Sequence, residues 1–263
     1  MHPLAQSGHI ELEDQRLDYR WVGPAPDSAP TVVMLHEGLG CQALWGDLPD
    51  RLAAATGLGV MAYSRVGYGS SSPKPLPWAF DYMHTEAQDV LPRVLDAVGF
   101  KRGVLIGSSD GASIATIYAG SVEDHRVCGL VLVAPHFIVE DETAAGARAA
   151  KAAFEAGDLR AKLERRHDNV EIAFYGWNQK WTDPEFKRSW DITEYLPYIR
   201  VPIRILQGEN DEYATVRQLR LAEQECLCPV EATLLPGLGH SIHREAPELC
   251  TAEMAAFIMR VLR

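Results

Sequence analysis

The chain has 263 residues, of which 47% are hydrophobic, and a formal net charge of −11 at pH 7. This length is enough for one sizeable core with a small insertion, as in a sheet covered by helices on both faces. Because no basic patch is present to neutralise phosphates, the charge argues against nucleic acid or an acidic membrane surface as a partner.

Strand and helix patterns follow one another along the chain. Residues 10–12 and 17–21 alternate between apolar and polar around a polar turn at 13–15, which predicts an opening antiparallel hairpin. Apolar runs predict further strands at 31–35, 59–63, 104–106, 129–133, 203–206 and 230–235. Helices are predicted at 44–55, at 84–98 with a bend or restart at Pro92, and at 248–262. Since most of these strands alternate with helices, we expect an α/β fold with a mostly parallel sheet.

The segment Gly107-Ser108-Ser109-Asp110-Gly111 lies between the apolar run 104–106 and a helix-like stretch at 113–119. A nucleophile at the top of a sheet needs a tight turn, and small flanking residues let the strand and the following helix approach closely. A Gly-x-Ser-x-Gly match alone is common by chance. A buried strand before the match and a helix after it favour Ser109 as a nucleophile.

A serine hydroxyl becomes a good nucleophile only beside a base, and both an acid and a histidine follow downstream. Asp211 lies in a polar loop after the strand predicted at 203–206, and His240 lies in a glycine-rich loop after the strand predicted at 230–235. The chain order serine, acid, histidine, with each member after a strand, predicts a triad of Ser109, Asp211 and His240. We expect His243, three residues further on, to be structural.

These motifs resemble those of the α/β-hydrolase superfamily over nearly the full chain. The resemblance extends to the loop Leu-His-Glu-Gly-Leu-Gly at 35–40, to residues 63–71 and to the histidine loop at 239–248. It implies a mostly parallel central sheet with helices on both faces. It also implies an oxyanion hole made of the main-chain N–H groups of Asp110 and of either Gly38 or Leu39.

The loop at 35–40 departs from the family's commoner pattern because Glu37 replaces a glycine. A carboxylate there would oppose the negative charge that develops on an oxyanion. We therefore expect Glu37 to turn away from the oxyanion hole and to pair with Arg65, since their loops follow successive strands and strand C-terminal ends lie on the active-site side. His36 is expected to pack behind the elbow and not to act as a base.

A long stretch without a clear strand separates the strands predicted at 129–133 and 203–206. In the resembled superfamily an insertion here forms a helical cap over the nucleophile. We therefore assign residues 137–200 to a cap, and residues 1–136 and 201–263 to the hydrolase core. Most aromatic residues of the cap are expected to pack within it. The residues predicted to line the substrate pocket are Leu39, Phe137, Trp177, Trp181 and Tyr213.

An intact serine triad under an aromatic cap suits hydrolysis of a small, largely apolar carboxylic ester through an acyl-enzyme intermediate. Fold and triad do not determine the scissile bond, so two alternative functions are a carbon–carbon bond hydrolase and an aminopeptidase-like enzyme. Within the superfamily, Ser109 disfavours dehalogenases and epoxide hydrolases, whose nucleophile is an aspartate, and Asp110 stands where proline iminopeptidases carry tryptophan. The alternative outside the enzymes is a non-catalytic ligand receptor. The presence of all three triad residues argues against it.

Cysteine usage and the N-terminal residues bear on cofactors and location. The five cysteines are odd in number and scattered, which argues against a disulfide framework. Cys226 and Cys228 lack a second ligand pair at zinc-site spacing, so we expect no metal, and we expect no cofactor. Residues 1–7 lack the features of a secretory signal and no run is long enough to span a bilayer, so we expect a cytoplasmic protein without a membrane partner. The sequence leaves a homodimer open.

Overall fold

The computed structural model describes residues 6–263, so residues 1–5 of the N-terminal stretch considered above lie outside the described residues. The strands are β1 Ser7–Glu11, β2 Arg16–Val22, β3 Thr31–Leu35, β4 Gly59–Tyr63, β5 Gly103–Ser108, β6 Val127–Val133, β7 Ile203–Gly208 and β8 Val230–Leu235. They form one sheet in the order β1-β2-β4-β3-β5-β6-β7-β8. Strand β2 pairs antiparallel with β1 and with β4, and all other pairs are parallel. The predicted hairpin and mostly parallel sheet are confirmed.

The central strands are buried on both faces. Every residue of β3, β4 and β5 is buried, as expected where helices cover both sides of a parallel sheet. Alternate residues of β3 belong to different cores: Val33 and Leu35 pack in one hydrophobic cluster, whereas Val32 and Met34 pack in the other. Since successive strand side chains point to opposite faces, the sheet separates two cores. This arrangement explains why these strands read as continuous apolar runs.

Helices flank the sheet and fill its crossover connections. Their bounds are α1 Leu48–Thr56, α2 Tyr82–Thr85, α3 Leu91–Ala97, α4 Asp110–Ser121, α5 Asp141–Glu155, α6 Asp158–Leu163, α7 Val170–Trp181, α8 Pro184–Ser189, α9 Arg217–Glu225, α10 Ile242–Glu245 and α11 Pro247–Val261. Across residues 6–263, none of the helices is long and apolar enough to cross a membrane. The five cysteines are free thiols.

Two of the three predicted helices differ in detail from the structure. The helix predicted at 44–55 is a 3-10 turn, Gln42–Trp45, followed by α1, because Gly46 adopts a φ of 61° and interrupts the helical path. The helix predicted at 84–98 consists of α2, a π-helical turn at Glu86–Val90, and α3. Pro92 lies in the first turn of α3, directly after the π-helical turn. Val90 and Leu91 before it keep helical dihedral angles, so the helix changes its winding here and does not restart.

Helices α5 to α8 form the insertion between β6 and β7. Its aromatic residues pack largely against one another: the rings of Phe154 and Phe174 stack at 3.8 Å, and those of Phe186 and Trp190 stack at 5.2 Å. His167 connects the insertion to the core, because its Nδ1 accepts a hydrogen bond from Gly69 N–H at 2.9 Å. The division of the chain into a core and a cap at 137–200 stays a prediction.

Candidate active site

Ser109 lies in the sharp turn between β5 and α4. Its φ of 51° and ψ of −116° are unusual for a residue with a side chain, and such strain concentrates at functional sites. Glycines make the turn possible. A Cβ on Gly107 would lie 2.2 Å from the carbonyl oxygen of Gly111, and a Cβ on Gly111 would lie 2.0 Å from that of Leu35. The predicted elbow therefore depends on backbone approaches that only glycine permits.

Asp211 and His240 lie after the neighbouring strands β7 and β8. The Nδ1 atom of His240 lies 2.8 and 2.9 Å from the two carboxylate oxygens of Asp211. With Nδ1 donating to Asp211, Nε2 of the neutral ring is available to accept a proton. Two further donors hold the carboxylate, namely Nε2 of Gln207 at 2.6 Å and the main-chain N–H of Tyr213 at 2.8 Å.

The charges around His240 favour its protonated form. Burial acts to lower the pKa of His240, but Asp211, with smaller contributions from Glu212 and Glu37, raises it above the usual value. Burial acts to raise the pKa of Asp211, but the hydrogen bond and charge of His240 bring it below the usual value. Asp211 therefore stays ionised and stabilises the imidazolium that a proton transfer from serine would create.

Ser109 and His240 line one cavity of about 390 Å³. The structure places Leu39, Trp177 and Tyr213 among its lining residues. Phe137 and Trp181 do not line it, which corrects the predicted pocket. Both are buried in packing: the main-chain N–H of Phe137 donates to Gln218 at 2.7 Å, and Trp181 packs against the rings of Phe186 and Trp190.

The sequence analysis missed several lining residues of this cavity: Leu44, Leu159, Lys162, Leu163, Glu212, Ser241 and Arg244. The i, i+4 spacing of Leu159 and Leu163 on α6 is a sequence signal that could have identified an apolar helix face. No comparable signal marks Arg244. It lines the cavity because α10 follows directly on the loop that carries His240.

The residues predicted to form the oxyanion hole lie around Ser109. Gly38 and Leu39 line the same cavity as Ser109. Asp110 is the first residue of α4, where a main-chain N–H has no partner within the helix. The carbonyl oxygen of Leu39 lies 3.2 Å from Nε2 of His167, which ties this loop to the insertion. The choice between Gly38 and Leu39 as the second donor stays open.

His36 is fully buried behind the loop, and both of its ring nitrogens have partners. Its Nε2 accepts from the main-chain N–H of Arg65 at 3.0 Å, and its Nδ1 lies 2.7 Å from the carbonyl oxygen of Glu37. Burial, and then the charge of Arg65, holds the pKa of His36 well below the usual value. The ring is therefore a neutral structural element, and neither nitrogen is free to act as a base.

The partner of Glu37 differs from the one predicted. Its carboxylate accepts from Nη2 of Arg244 at 2.5 Å, whereas the buried guanidinium of Arg65 donates to the main-chain carbonyls of His36 and Glu37. The reason is geometric: Arg65 lies behind the loop, and the Glu37 side chain lies on the cavity side. Burial acts to raise the pKa of Glu37, but Arg244 and nearby histidines together lower it below the usual value. The ion pair joins the loop that carries Gly38 to the helix that follows His240.

Replacing Glu37 with glutamine should lower kcat/KM and shift its pH dependence. Glu37 helps to raise the pKa of His240, so its neutralisation should lower that pKa. Because the base works in its neutral form, activity is lost as the pH falls through this pKa, and the acid limb of kcat/KM should move to lower pH. We expect a stability cost of about 1 kcal/mol or less, because the side chain of Arg244 is 44% exposed and solvent screens the pair.

Kinetics over pH 5 to 9 and denaturant unfolding test this expectation. Glu248→Gln is the matched control, because Glu248 forms an exposed ion pair with Arg51 at 3.1 Å. An unshifted acid limb in Glu37→Gln, or an equal shift in the control, would contradict the role given to Glu37.

A known protein family and several solved structures resemble this chain. A profile of the Alpha/beta hydrolase family matches residues 32–253. A proline iminopeptidase structure from Mycobacterium smegmatis has a TM-score of 0.73 at 22% identity, over 97% of this chain and 98% of that one. The esterase RhEst1 from Rhodococcus sp. ECU1013 has a TM-score of 0.72 at 22% identity, with coverage of 97% and 98%. A monoacylglycerol lipase from Paleococcus ferrophilus has a TM-score of 0.68 at 18% identity, with coverage of 93% and 99%.

No curated protein sequence matches the chain. At these identities the solved structures establish the fold and not the substrate. The family profile spans most of the chain, including the turn at Ser109 and the loops of Asp211 and His240. The protein therefore belongs to the alpha/beta hydrolase family.

Proposed function

We propose that this protein is a serine hydrolase that cleaves a small carboxylic ester. One observation carries the proposal: Ser109, on its strained turn, lines the same cavity as His240, whose Nδ1 is hydrogen-bonded to Asp211. A serine beside an oriented imidazole is the arrangement needed for nucleophilic attack on a carbonyl.

The reaction would proceed in two halves. Nε2 of His240 takes the hydroxyl proton as Oγ of Ser109 attacks the ester carbonyl, and Asp211 stabilises the imidazolium. The N–H of Asp110 and that of Gly38 or Leu39 bind the oxyanion. His240 then gives its proton to the leaving alcohol, which releases the alcohol and leaves an acyl-enzyme. Water, activated by the same histidine, attacks the acyl-enzyme and frees the acid and the serine.

The lining of the cavity supports an ester with an apolar part. Six of its residues are apolar or aromatic: Leu39, Leu44, Leu159, Leu163, Trp177 and Tyr213. Its two carboxylates already have partners, because Glu37 pairs with Arg244 and Glu212 accepts from the main-chain N–H of His240 at 3.3 Å. The charge of Glu37 is already balanced by Arg244, which makes this carboxylate a poor site for the amino group that an aminopeptidase recognises. A cavity of about 390 Å³ suits a small ligand.

A series of 4-nitrophenyl esters with acyl chains of increasing length tests this function. We expect kcat/KM to be highest for short acyl chains and to fall for long ones, because the cavity is small. Protein that reacts with a fluorophosphonate but hydrolyses none of the esters would contradict the esterase proposal and favour cleavage of another bond. A steady rise in kcat/KM up to the longest chain would contradict the small substrate.

A further inference from the structure

Two of the five free cysteines lie in the short connection between α9 and β8. Cys226 directly follows the last residue of α9, and Cys228 comes two residues before the start of β8. Both ends of the connection are held by hydrogen bonds. The main-chain N–H of Cys226 donates to Ala222 at 3.1 Å, and the carbonyl oxygen of Pro229 accepts from the N–H of Ile203 at 2.9 Å. The two thiols therefore lie on a segment that is anchored to α9 on one side and to the sheet on the other.

The side chains of Cys226 and Cys228 point to the same side of this connection. Cys226 has an extended backbone, with φ −73° and ψ 134°, in which successive side chains point in opposite directions. The burial of the three residues agrees with this alternation. Leu227, between the cysteines, is 77% exposed, whereas both cysteines are half-buried and pack against the same hydrophobic cluster. The two thiols are therefore neighbours at the edge of one core.

The path of the chain permits a bond between the two sulfur atoms. In a fully extended chain, the Cα atoms of residues two apart are separated by at most about 7 Å. Disulfides connect Cα atoms that lie about 4.4–6.8 Å apart. The chain bends at Leu227 and Cys228, and a bend shortens this separation below the extended limit. A disulfide between Cys226 and Cys228 is therefore within reach without unfolding of α9 or β8.

The cysteines differ in acidity. Hydrogen bonding with Cys228, together with burial, raises the pKa of Cys226. Hydrogen bonding with Cys226, with a smaller contribution from the charge of Arg200, lowers the pKa of Cys228 against the opposing influence of burial. Burial raises the pKa of Cys41 to about 11 and that of Cys250 to about 12. Because the thiolate is the nucleophile, Cys228 is the more reactive member of the pair.

We propose that Cys226 and Cys228 form a thiol redox site that a hydroperoxide oxidises to a disulfide. The sulfur of Cys228 attacks the hydroperoxide and the O–O bond breaks, so the sulfur becomes a sulfenic acid and an alcohol, or water, leaves with the proton of Cys228. The sulfur of Cys226 then attacks the sulfenic sulfur, the S–O bond breaks, and water leaves with the proton of Cys226. Two thiols and one hydroperoxide give one disulfide, one alcohol and one water. A dithiol reductant reverses the change by thiol–disulfide exchange.

This site is separate from the proposed esterase site, since neither cysteine lines the cavity of Ser109. Its oxidation state can therefore be followed without a measurement of ester hydrolysis. Peptide mapping suits this purpose, because cleavage after arginine and lysine leaves both cysteines in the peptide 221–244.

Oxidation of the folded wild-type protein with hydrogen peroxide tests the site, with iodoacetamide added afterwards to label the remaining thiols. We expect the peptide 221–244 to lose the mass of two hydrogen atoms and to carry no iodoacetamide label. Dithiothreitol, applied before the labelling step, should restore both labels. Cys128 is the matched internal control, because it is also half-buried but its thiol donates to the carbonyl oxygen of Arg126 at 3.7 Å. It should keep its label under the same conditions.

Serine variants test the roles of the two thiols, with dimedone as a trap for sulfenic acid. In Cys226→Ser the sulfenic acid has no partner, so dimedone should label Cys228. In Cys228→Ser dimedone should label Cys226 much less, because burial still raises the pKa of that thiol.

Circular dichroism checks that each protein stays folded during oxidation. Three results would overturn the proposal. They are retention of both iodoacetamide labels in the oxidised wild type, a disulfide that joins either residue to another cysteine or to a second molecule, and loss of the Cys128 label as fast as those of the pair. Equal dimedone labelling of the two variants would contradict Cys228 as the attacking thiol.

Discussion

Replacing Ser109 with alanine should abolish ester hydrolysis and leave the fold intact. The change deletes one hydroxyl from a turn whose shape is set by Gly107 and Gly111, so the backbone should keep its path. Loss of the nucleophile in a serine hydrolase lowers kcat by roughly 10⁴ to 10⁶. The measurement is steady-state hydrolysis of a short 4-nitrophenyl ester, with thermal unfolding as the check on folding. Ser108→Ala is the control, since Ser108 is the last residue of β5, and it should stay active. Activity in Ser109→Ala with loss in Ser108→Ala would show that the register of the turn is wrong.

Replacing His240 with alanine should reduce kcat as strongly as the serine variant, and replacing His243 should not. His240 is bonded to Asp211, whereas the ring of His243 packs 5.0 Å from that of Trp45, and burial lowers its pKa to about 4. Loss of the buried His243 ring should destabilise the fold by on the order of 1–3 kcal/mol and leave kcat within severalfold of the wild type. Ester kinetics and denaturant unfolding on both variants separate the two effects. Equal losses of kcat in two folded variants would contradict the assignment of His240 as the base.

The strands and the turn at Ser109 could be predicted because their signals are local. Strands β3, β4 and β8 begin and end at the predicted residues, and the glycines that flank Ser109 make the approaches that the turn requires. The interruption at Gly46 shows the limit of such patterns. An apolar periodicity continues across this glycine, but its left-handed backbone ends the helical path.

The composition of the pocket could not be predicted because it depends on distances within the folded chain. Trp177 and Trp181 lie one turn apart on the same face of α7, so helical periodicity treats them alike. Only the position of α7 over the sheet decides that Trp177 lines the cavity and that Trp181 packs into the core. The partner of Glu37 was missed for the same reason, since Arg244 lies 207 residues away in the chain. Asp110 is predicted as an N–H donor from its place after Ser109, and this role stays a prediction. The environment of its side chain, whose Oδ2 accepts from the hydroxyl of Tyr82, could not be predicted from the sequence.

The central claim, that Ser109 is a nucleophile activated by His240, is tested most directly by fluorophosphonate labelling with peptide mapping by mass spectrometry. We predict one covalent adduct in the wild type, located on Ser109, with no adduct in Ser109→Ala and much slower labelling in His240→Ala. Labelling of Ser108 or another serine, or folded wild-type protein that forms no adduct, would contradict the claim.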